Sequence, residues 1–451
     1  MKIQETEKNL GISVYVTRTS GIGGAIRRQP EDFVVEEVLI NGAKAFATPL
    51  EFPSQLGRYL VCALVKRNRD TLLAVRAIAQ ELGINHERIG IAGIKDTKAV
   101  TAQHISLYGV RPKEISHLRL KNVNVYPLRY AEEKISTKLL FGNQFAAVIR
   151  SISLEKRNVK KLVNATRSEL SALGGAPNFF GHQRFGTVRP ITHSVGRAIL
   201  EGNLEKAVFI FLTRSSKHEH PAAREARERL IQTNDFHEAL NGFPTYLKYE
   251  RLMLKHLVSY KKDFLGALRE LPLRLRKLFV QAFQSYLFNK FLSERIRQEI
   301  KLNEACIGDF VVSLDEHCLP QENGQTATVN LLSRVNKAIK ERKACVAIPL
   351  VGFKQALSSG VQGEIEQKIL EEENVKPEDF QVSTMREVGV AGGLRAILAP
   401  IMDFVADTPR SDSENLLRNE VKLRFALRRG SYATIPLREF MKPRNVIEAG
   451  F

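Results

Sequence analysis

The feature that most constrains this chain is an abrupt change of texture at the run GGAP, residues 174–177. Before it, short runs of β-branched and aromatic residues alternate with helical periodicity, the pattern of an α+β domain. Residues 33–40 (FVVEEVLI) and 59–66 (YLVCALVK) predict strands. Asp70 or Thr71 caps a predicted helix whose Leu72, Val75, Ile78, Ala79 and Leu82 keep helical spacing until Gly83 ends it. IGIAG, a short polar loop IKDTK and the strand-like TAQHISL follow, then a strand over 145–152 and a Lys-rich helix over 159–173. Beyond Pro177 the chain turns helical and segregates its charge: residues 251–300 carry 11 Lys+Arg against 4 Asp+Glu, and residues 361–380 carry 2 Lys against 7 acidic residues. Leu275, Leu278, Phe279, Ala282, Phe283, Tyr286, Leu287 and Phe291 predict one long amphipathic helix, read as core packing. Near the end, LRFALRRGSYATIPLREFMK (423–442) predicts a strand, a glycine turn and a short helix starting close to Pro436.

Composition narrows the class. The 451 residues hold 68 Lys+Arg and 49 Asp+Glu, a net charge of +19, with 43% apolar residues. That is enough apolar material for two or three cored domains and excludes general disorder. Cys62, Cys306, Cys318 and Cys345 form no C-x-x-C pair, so neither a disulfide scaffold nor a zinc ribbon fits, and a reducing cytoplasm is expected. No uncharged apolar run approaches the ~18 residues of a membrane span, and MKIQETEKNL lacks the apolar core of a secretory signal. The excess of positive charge nominates a polyanion, with nucleic acid first and an anionic membrane surface second, against the plain alternative of solubility or thermostability. SGIGGAIR (20–27) lacks the third glycine of a dinucleotide loop, no G-x-x-x-x-G-K-[ST] accompanies the Lys95-Asp96 pair, KHEHP has no cysteine partners, and no G-x-S-x-G occurs.

Four segments carry chemistry. In RRQPEDFVVEEV (27–38), Glu37 shares a strand face with Phe33, Val35 and Leu39, so a buried carboxylate there needs a cationic or hydrogen-bonding partner. In AGIKDTKAVTAQ (92–103), Asp96 sits between Lys95 and Lys98, whose charges favour its ionised form and ready it as nucleophile or base. FGNQFAAVIR (141–150) puts Asn143 and Phe145 on one face. PNFFGHQRFG (177–186) interleaves Phe179, Phe180 and Phe185 with Arg184, a mixture suited to unstacked bases and phosphate, or equally to core packing.

PEDFVVEE, AGIKDTKAVTAQ, GNQF, PNFFGHQRFG, QAFQSYLFN and GSYATIPLRE, in this order from Arg27 to Arg438, resemble the TruD family of tRNA pseudouridine synthases. The resemblance implies an RNA-modifying isomerase using neither metal nor organic cofactor, cytoplasmic and monomeric, with tRNA as partner. It places the indispensable aspartate on Asp96, to attack the ribose C1′ or to remove the 2′ proton. Its basic partner falls on Arg27, with Arg28 the adjacent rival. Phe33, Asn143, Phe145 and Tyr432 fall on the uracil site, Glu37 lies near it, and Lys95, Lys98 and Arg184 are candidate RNA contacts. The implied fold is α+β: a catalytic core with a mixed, largely antiparallel sheet over residues 1–176 and 397–451, interrupted by an inserted α/β TRUD domain over 177–396, with RNA between them. A non-catalytic RNA-binding or tRNA-folding protein on this scaffold is the rival reading, and membrane-surface binding a third. Repulsion between Asp96 and phosphate disfavours pure binding.

Overall fold

A computed structural model describes residues 3–46 and 57–451. The chain folds as two compact units, one of Met1–Val16 with Pro177–Leu398 and the other of Thr17–Ala176 with Ala399–Phe451. The reading that groups the first residues with the α+β half needs correction at this end. Leu10 and Ile12 are buried, and Asn289 Nδ2 and Ser293 Oγ donate to the carbonyls of Leu10 and Gly11 at 2.9 and 2.6 Å, so buried amide and hydroxyl groups of the 177–398 unit satisfy this backbone.

The unit of Thr17–Ala176 with Ala399–Phe451 is built on a nine-stranded sheet. Its strands are β1 Phe33–Leu39, β2 Tyr59–Arg67, β3 Ile89–Ile91, β4 Val100–Tyr108, β5 Val123–Ala131, β6 Leu140–Ile152, β7 Met402–Ala406, β8 Arg410–Ser411 and β9 Asn419–Arg428. They lie in the order β7-β9-β6-β1-β4-β2-β5, with β8 beside β9 and β3 beside β4. The β1–β4 pair is parallel, and β1–β6, β9–β6, β2–β4 and β2–β5 are antiparallel. The sheet is thus mixed and largely antiparallel.

Local sequence explains these elements. Phe33, Val35, Glu37 and Leu39 alternate inward along β1. β6 starts five residues before the expected 145, because Gly142 lets β9 run close beside it: a Cβ there would stand 2.1 Å from the Leu427 carbonyl oxygen. Asp70 caps the helix Thr71–Glu81 by accepting from the Leu73 amide at 3.0 Å. Ala74, Val75, Ile78 and Ala79 of that helix pack on Leu60, Cys62, Leu64, Ile105 and Leu107 of the sheet. Leu72, expected on this stripe, is 37% exposed. Truncating Ile78 to Ala in this packed layer costs about 2–5 kcal/mol.

The other unit surrounds the helix Leu273–Arg297 with further helices and an antiparallel sheet of Phe310–Leu314, Pro320–Thr326, Ala344–Leu350 and Gly393–Ala396. The stripe of Leu273–Arg297 packs into the core as expected, but the burial extends well beyond the stripe. Val280, Phe288 and Leu292 are as buried as Phe279, Phe283 and Phe291, so the element is wrapped on most sides. Its buried polar residues are locally satisfied: Arg295 donates to both Asp309 carboxylate oxygens at 2.7 Å.

Candidate active site

Residues 92–99 turn from β3 into β4 and carry Asp96. Three side chains fix this turn from beneath. Lys66, opposite Thr101 in the β2–β4 ladder, donates its ammonium to the Asp96 carbonyl oxygen at 2.7 Å and, more loosely, to the Lys95 carbonyl at 3.4 Å. Thr71 Oγ1 accepts from the Lys95 amide at 3.1 Å, and Gln103 Nε2 donates to the Gly93 carbonyl at 3.1 Å. Lys66 is 1% exposed, and burial pulls its ammonium down to about 8, against the opposing charges of Asp96 and Asp70.

A second buried group pins the same turn. Lys95 Nζ lies 2.6 Å from Glu37 Oε2, while Glu37 Oε1 accepts from the His104 amide at 2.9 Å and lies 3.2 Å from His104 Nδ1. Burial alone would push the Glu37 carboxyl up, but His104 and the Lys95 charge together hold it below the usual carboxylate range. The partner expected for Glu37 is therefore supplied from β4 and its preceding loop. Lys95, expected to meet RNA, is turned inward with its side chain 4% exposed, its charge spent on Glu37. Lys98 stands exposed on the loop.

The Asp96 carboxylate, 19% exposed, accepts from Arg27 Nη2 at 2.8 Å through Oδ1. Arg27 is anchored two further ways: Cζ stands 4.0 Å from the Phe33 ring centroid and Nη1 donates to the Gly450 carbonyl at 3.2 Å, while its backbone sits at φ +58°. That left-handed conformation is uncommon for a non-glycine residue and costs about 1–3 kcal/mol, a strain that the surrounding contacts sustain. Burial lowers the Arg27 guanidinium while Asp96 opposes the shift. Adjacent Arg28 faces solvent.

A buried row of aromatic rings continues from this ion pair, Phe33, Phe145 and Phe425 being 1%, 5% and 0% exposed. Phe33 and Phe145 rings are 6.1 Å apart, and Phe145 and Phe425 rings 5.6 Å apart. The register sets this row, with Phe145 opposite both Val35 and Phe425, and Asn143 opposite both Glu37 and Leu427. Asn143 Oδ1 is buried and meets no hydrogen-bond donor among the described residues. A buried acceptor without a donor costs about 1–3 kcal/mol unless something else supplies a hydrogen. Tyr432 is half-buried in the turn after β9, whose Arg428 pairs with Gly142 beside Asn143.

Arg184 lies in the other unit, where Nε donates to Ser285 Oγ at 3.0 Å and Cζ stands 5.6 Å from the Phe180 ring. Phe179 and Phe185 are buried at 1% and 0% exposure, and Phe180 is held between Phe288 and Arg395. This run is packed core, and its rings offer no platform for bases.

Lys66, Thr71, His104 and Phe425 escape a reading of motifs. Lys66 gave no distinct signal, since with Arg67 it closes an apolar strand as an ordinary charged end. Among the described residues no group of His, Cys, Asp and Glu is arranged to hold a metal ion, and no helix is long and apolar enough to cross a membrane.

The structure thus presents an Arg-paired aspartate on a mixed, largely antiparallel sheet, beside a buried row of aromatic rings. Residues 9–440 match the family model described as tRNA pseudouridine synthase D (TruD). The chain is 38% identical over 98% of both chains to "Probable tRNA pseudouridine synthase D" of Methanococcoides burtonii, and 36% identical to the protein so named from Archaeoglobus fulgidus, over 97% of this chain and 99% of that one. The crystal structure of a TruD protein from Methanosarcina mazei superposes with a TM-score of 0.83 at 35% identity, covering 98% of this chain and 99% of that one. The chain belongs to the tRNA pseudouridine synthase D family, and with it to the isomerases.

Proposed function

We propose that this protein isomerises uridine to pseudouridine in tRNA, with uridine 13 as the target, acting as a cytoplasmic monomer. Asp96 either attacks C1′ or removes the 2′ proton, and in both cases the N1–C1′ bond breaks and its electrons pass to the uracil ring. The freed base turns within the pocket and C5 bonds to C1′, as the Asp96–C1′ ester bond breaks on the first route or as Asp96 returns the proton to C2′ on the second; the C5 proton then leaves to solvent and N1 takes one up.

Each step has support in the site. Arg27 aims the Asp96 carboxylate, since a charge-assisted bond to a guanidinium 2.8 Å away restricts its rotation. Phe33 and Phe145, enclosed at 1% and 5% exposure, give the sheet beside the ion pair an apolar aromatic backing against which a briefly untethered base is to be held. Asn143 Oδ1 has an unmet need for a donor, which an imide N–H of uracil fulfils. Tyr432, half-buried in the turn beyond the strand end that pairs with Gly142, is the remaining candidate contact for the base. Lys98 and Arg184 remain candidate phosphate contacts, and Lys95 serves the loop rather than the RNA.

The observation that carries the reading is the Arg27–Asp96 pair on a turn braced by two buried lysines, beside a buried row of aromatic rings. Replacing Asp96 by Asn removes the nucleophile and keeps the shape. It should leave tRNA binding intact and abolish pseudouridine, whereas a protein that only binds RNA makes none before the change.

A further inference from the structure

The unit of Met1–Val16 with Pro177–Leu398 carries a surface strip that the site above does not use. The helix Lys248–Ser259 turns Glu250, Met253, Leu254 and Leu257 inward. Its outer side presents Tyr249 and Leu252, 45% and 41% exposed, and just past its two ends stand Tyr246 and Tyr260, 55% and 63% exposed. At 100° per residue, Tyr249, Leu252 and His256 share one edge of this helix. The Tyr260 ring, 5.0 Å from that of His256, extends the line, and the Tyr246 ring stands edge-on to His220 at 6.1 Å. From Tyr249 to Tyr260 the strip runs about 16 Å at the helical rise.

Charge along the strip is predominantly positive. Lys248, Lys255, Lys261 and Lys262 are exposed, and none forms an ion pair among the described residues. Of the nearby acids, Glu250 is turned inward 2.8 Å from Arg227, while Asp263 and Glu270 lie at the strip's Tyr260 end, flanking His256 at 2.8 and 3.5 Å. Arg251 donates to the carbonyls of Leu240 and Phe243 and so belongs to the fold.

Three exposed tyrosines among four unpaired lysines fit few partners. A protein interface depletes lysine at its centre. A membrane-lying helix needs an apolar face toward lipid, and here that face is turned into the core. Duplex RNA is gripped through phosphates and 2′-hydroxyls, which gives the rings nothing to stack on. Unpaired nucleotides use both features, each base lying on a ring and each phosphate meeting a cation.

We propose that an unpaired stretch of RNA docks on this strip, its bases stacking on Tyr246, Tyr249 and Tyr260 and its phosphates held by Lys248, Lys255, Lys261 and Lys262. The inference rests on the reading of RNA as substrate and extends the recognition beyond the target uridine. The test is binding of a short fluorescent oligoadenylate to the full chain. The probe contains no uridine, so it does not report on the isomerisation site. The triple change Tyr246→Ala, Tyr249→Ala, Tyr260→Ala should weaken binding at least about tenfold, and the triple change to Phe should preserve it, because stacking needs only the ring. Replacing the four lysines by Gln should flatten the salt dependence by about 0.7 in log–log slope for each phosphate that is no longer neutralised. Unchanged affinity in the alanine variant, or an equal loss for a duplex of the same length, overturns the proposal. Uridine conversion by the wild-type protein is assayed in parallel. If conversion is absent while oligoadenylate binding depends on the tyrosines, the isomerase reading fails and the strip stands.

Discussion

Lys66 offers a sharp test of how the Asp96 turn is held. Its ammonium is enclosed at 1% exposure and makes one strong bond, 2.7 Å to the Asp96 carbonyl, with a looser approach of 3.4 Å to the Lys95 carbonyl. Lys66→Met keeps most of the side-chain length and removes that bond. A hydrogen bond from a charged donor is worth about 1.5–3 kcal/mol. If that energy holds the carboxylate in its reactive position, losing it lowers kcat roughly 10- to 150-fold, at 1.36 kcal/mol per tenfold. Lys66 touches only the backbone of this turn, so KM and tRNA affinity should stay within about twofold. Tritium release from C5-labelled uridine in a tRNA transcript measures kcat and KM, and calorimetry checks folding. The sign with pH follows from burial. The group titrates at about 8 in the fold against an ordinary 10.5, so the clamp's charge is lost as pH rises through 8. Wild type should show an alkaline limb there that Lys66→Met lacks. Relative to that variant, wild-type stability should rise between pH 8 and 10.5, where the unfolded chain still binds the proton that the fold has released. A folded Lys66→Met protein with unchanged kcat, or one whose whole loss lies in KM, refutes the reasoning.

Two further outcomes follow from buried charge. Glu37→Gln leaves the enclosed Lys95 ammonium without its counter-charge and should destabilise the protein by about 3–5 kcal/mol in denaturant unfolding; a loss below about 1 kcal/mol would mean the pair is not what holds the loop. In the other unit, burial raises the Glu366 carboxyl to about 7, with bonds from Ser358 and Gln362 partly opposing the shift. A raised acid costs the fold nothing below its ordinary 4.5 and its full penalty above 7, so stability should fall by up to about 3 kcal/mol from pH 4.5 to 7 through this group. Glu366→Gln should flatten that decline, and an unaltered pH profile in the variant would remove Glu366 as its cause.

Much of the sheet is legible in the sequence because its strands are written as local patterns. The alternation of 33–40, the apolar run 59–66 and the Asp70 cap each signal their element within a few residues. The ion pair at the site is different. Arg27 and Asp96 meet only because the parallel β1–β4 pair brings two remote segments together, and no spacing rule reports that register. Motif resemblance located both residues without giving their geometry. The same limit misdirects the reading of Lys95. Its charge in sequence suggests phosphate, yet its direction is decided by Glu37 on the neighbouring strand. Lys66, His104 and Phe425 carry no such motif because each acts through a neighbour supplied by strand pairing. For PNFFGHQRFG, the aromatic–arginine mixture serves core packing as well as stacking, and only burial separates the two uses.

The central claim is that the Asp96 carboxylate performs the chemistry. A position-resolved pseudouridine map of a tRNA pool, treated with wild type or with Asp96→Asn, tests it directly. The expected result is pseudouridine at position 13 with wild type and none with Asp96→Asn, although the variant still binds the tRNA. Pseudouridine appearing at the same position with Asp96→Asn would contradict it.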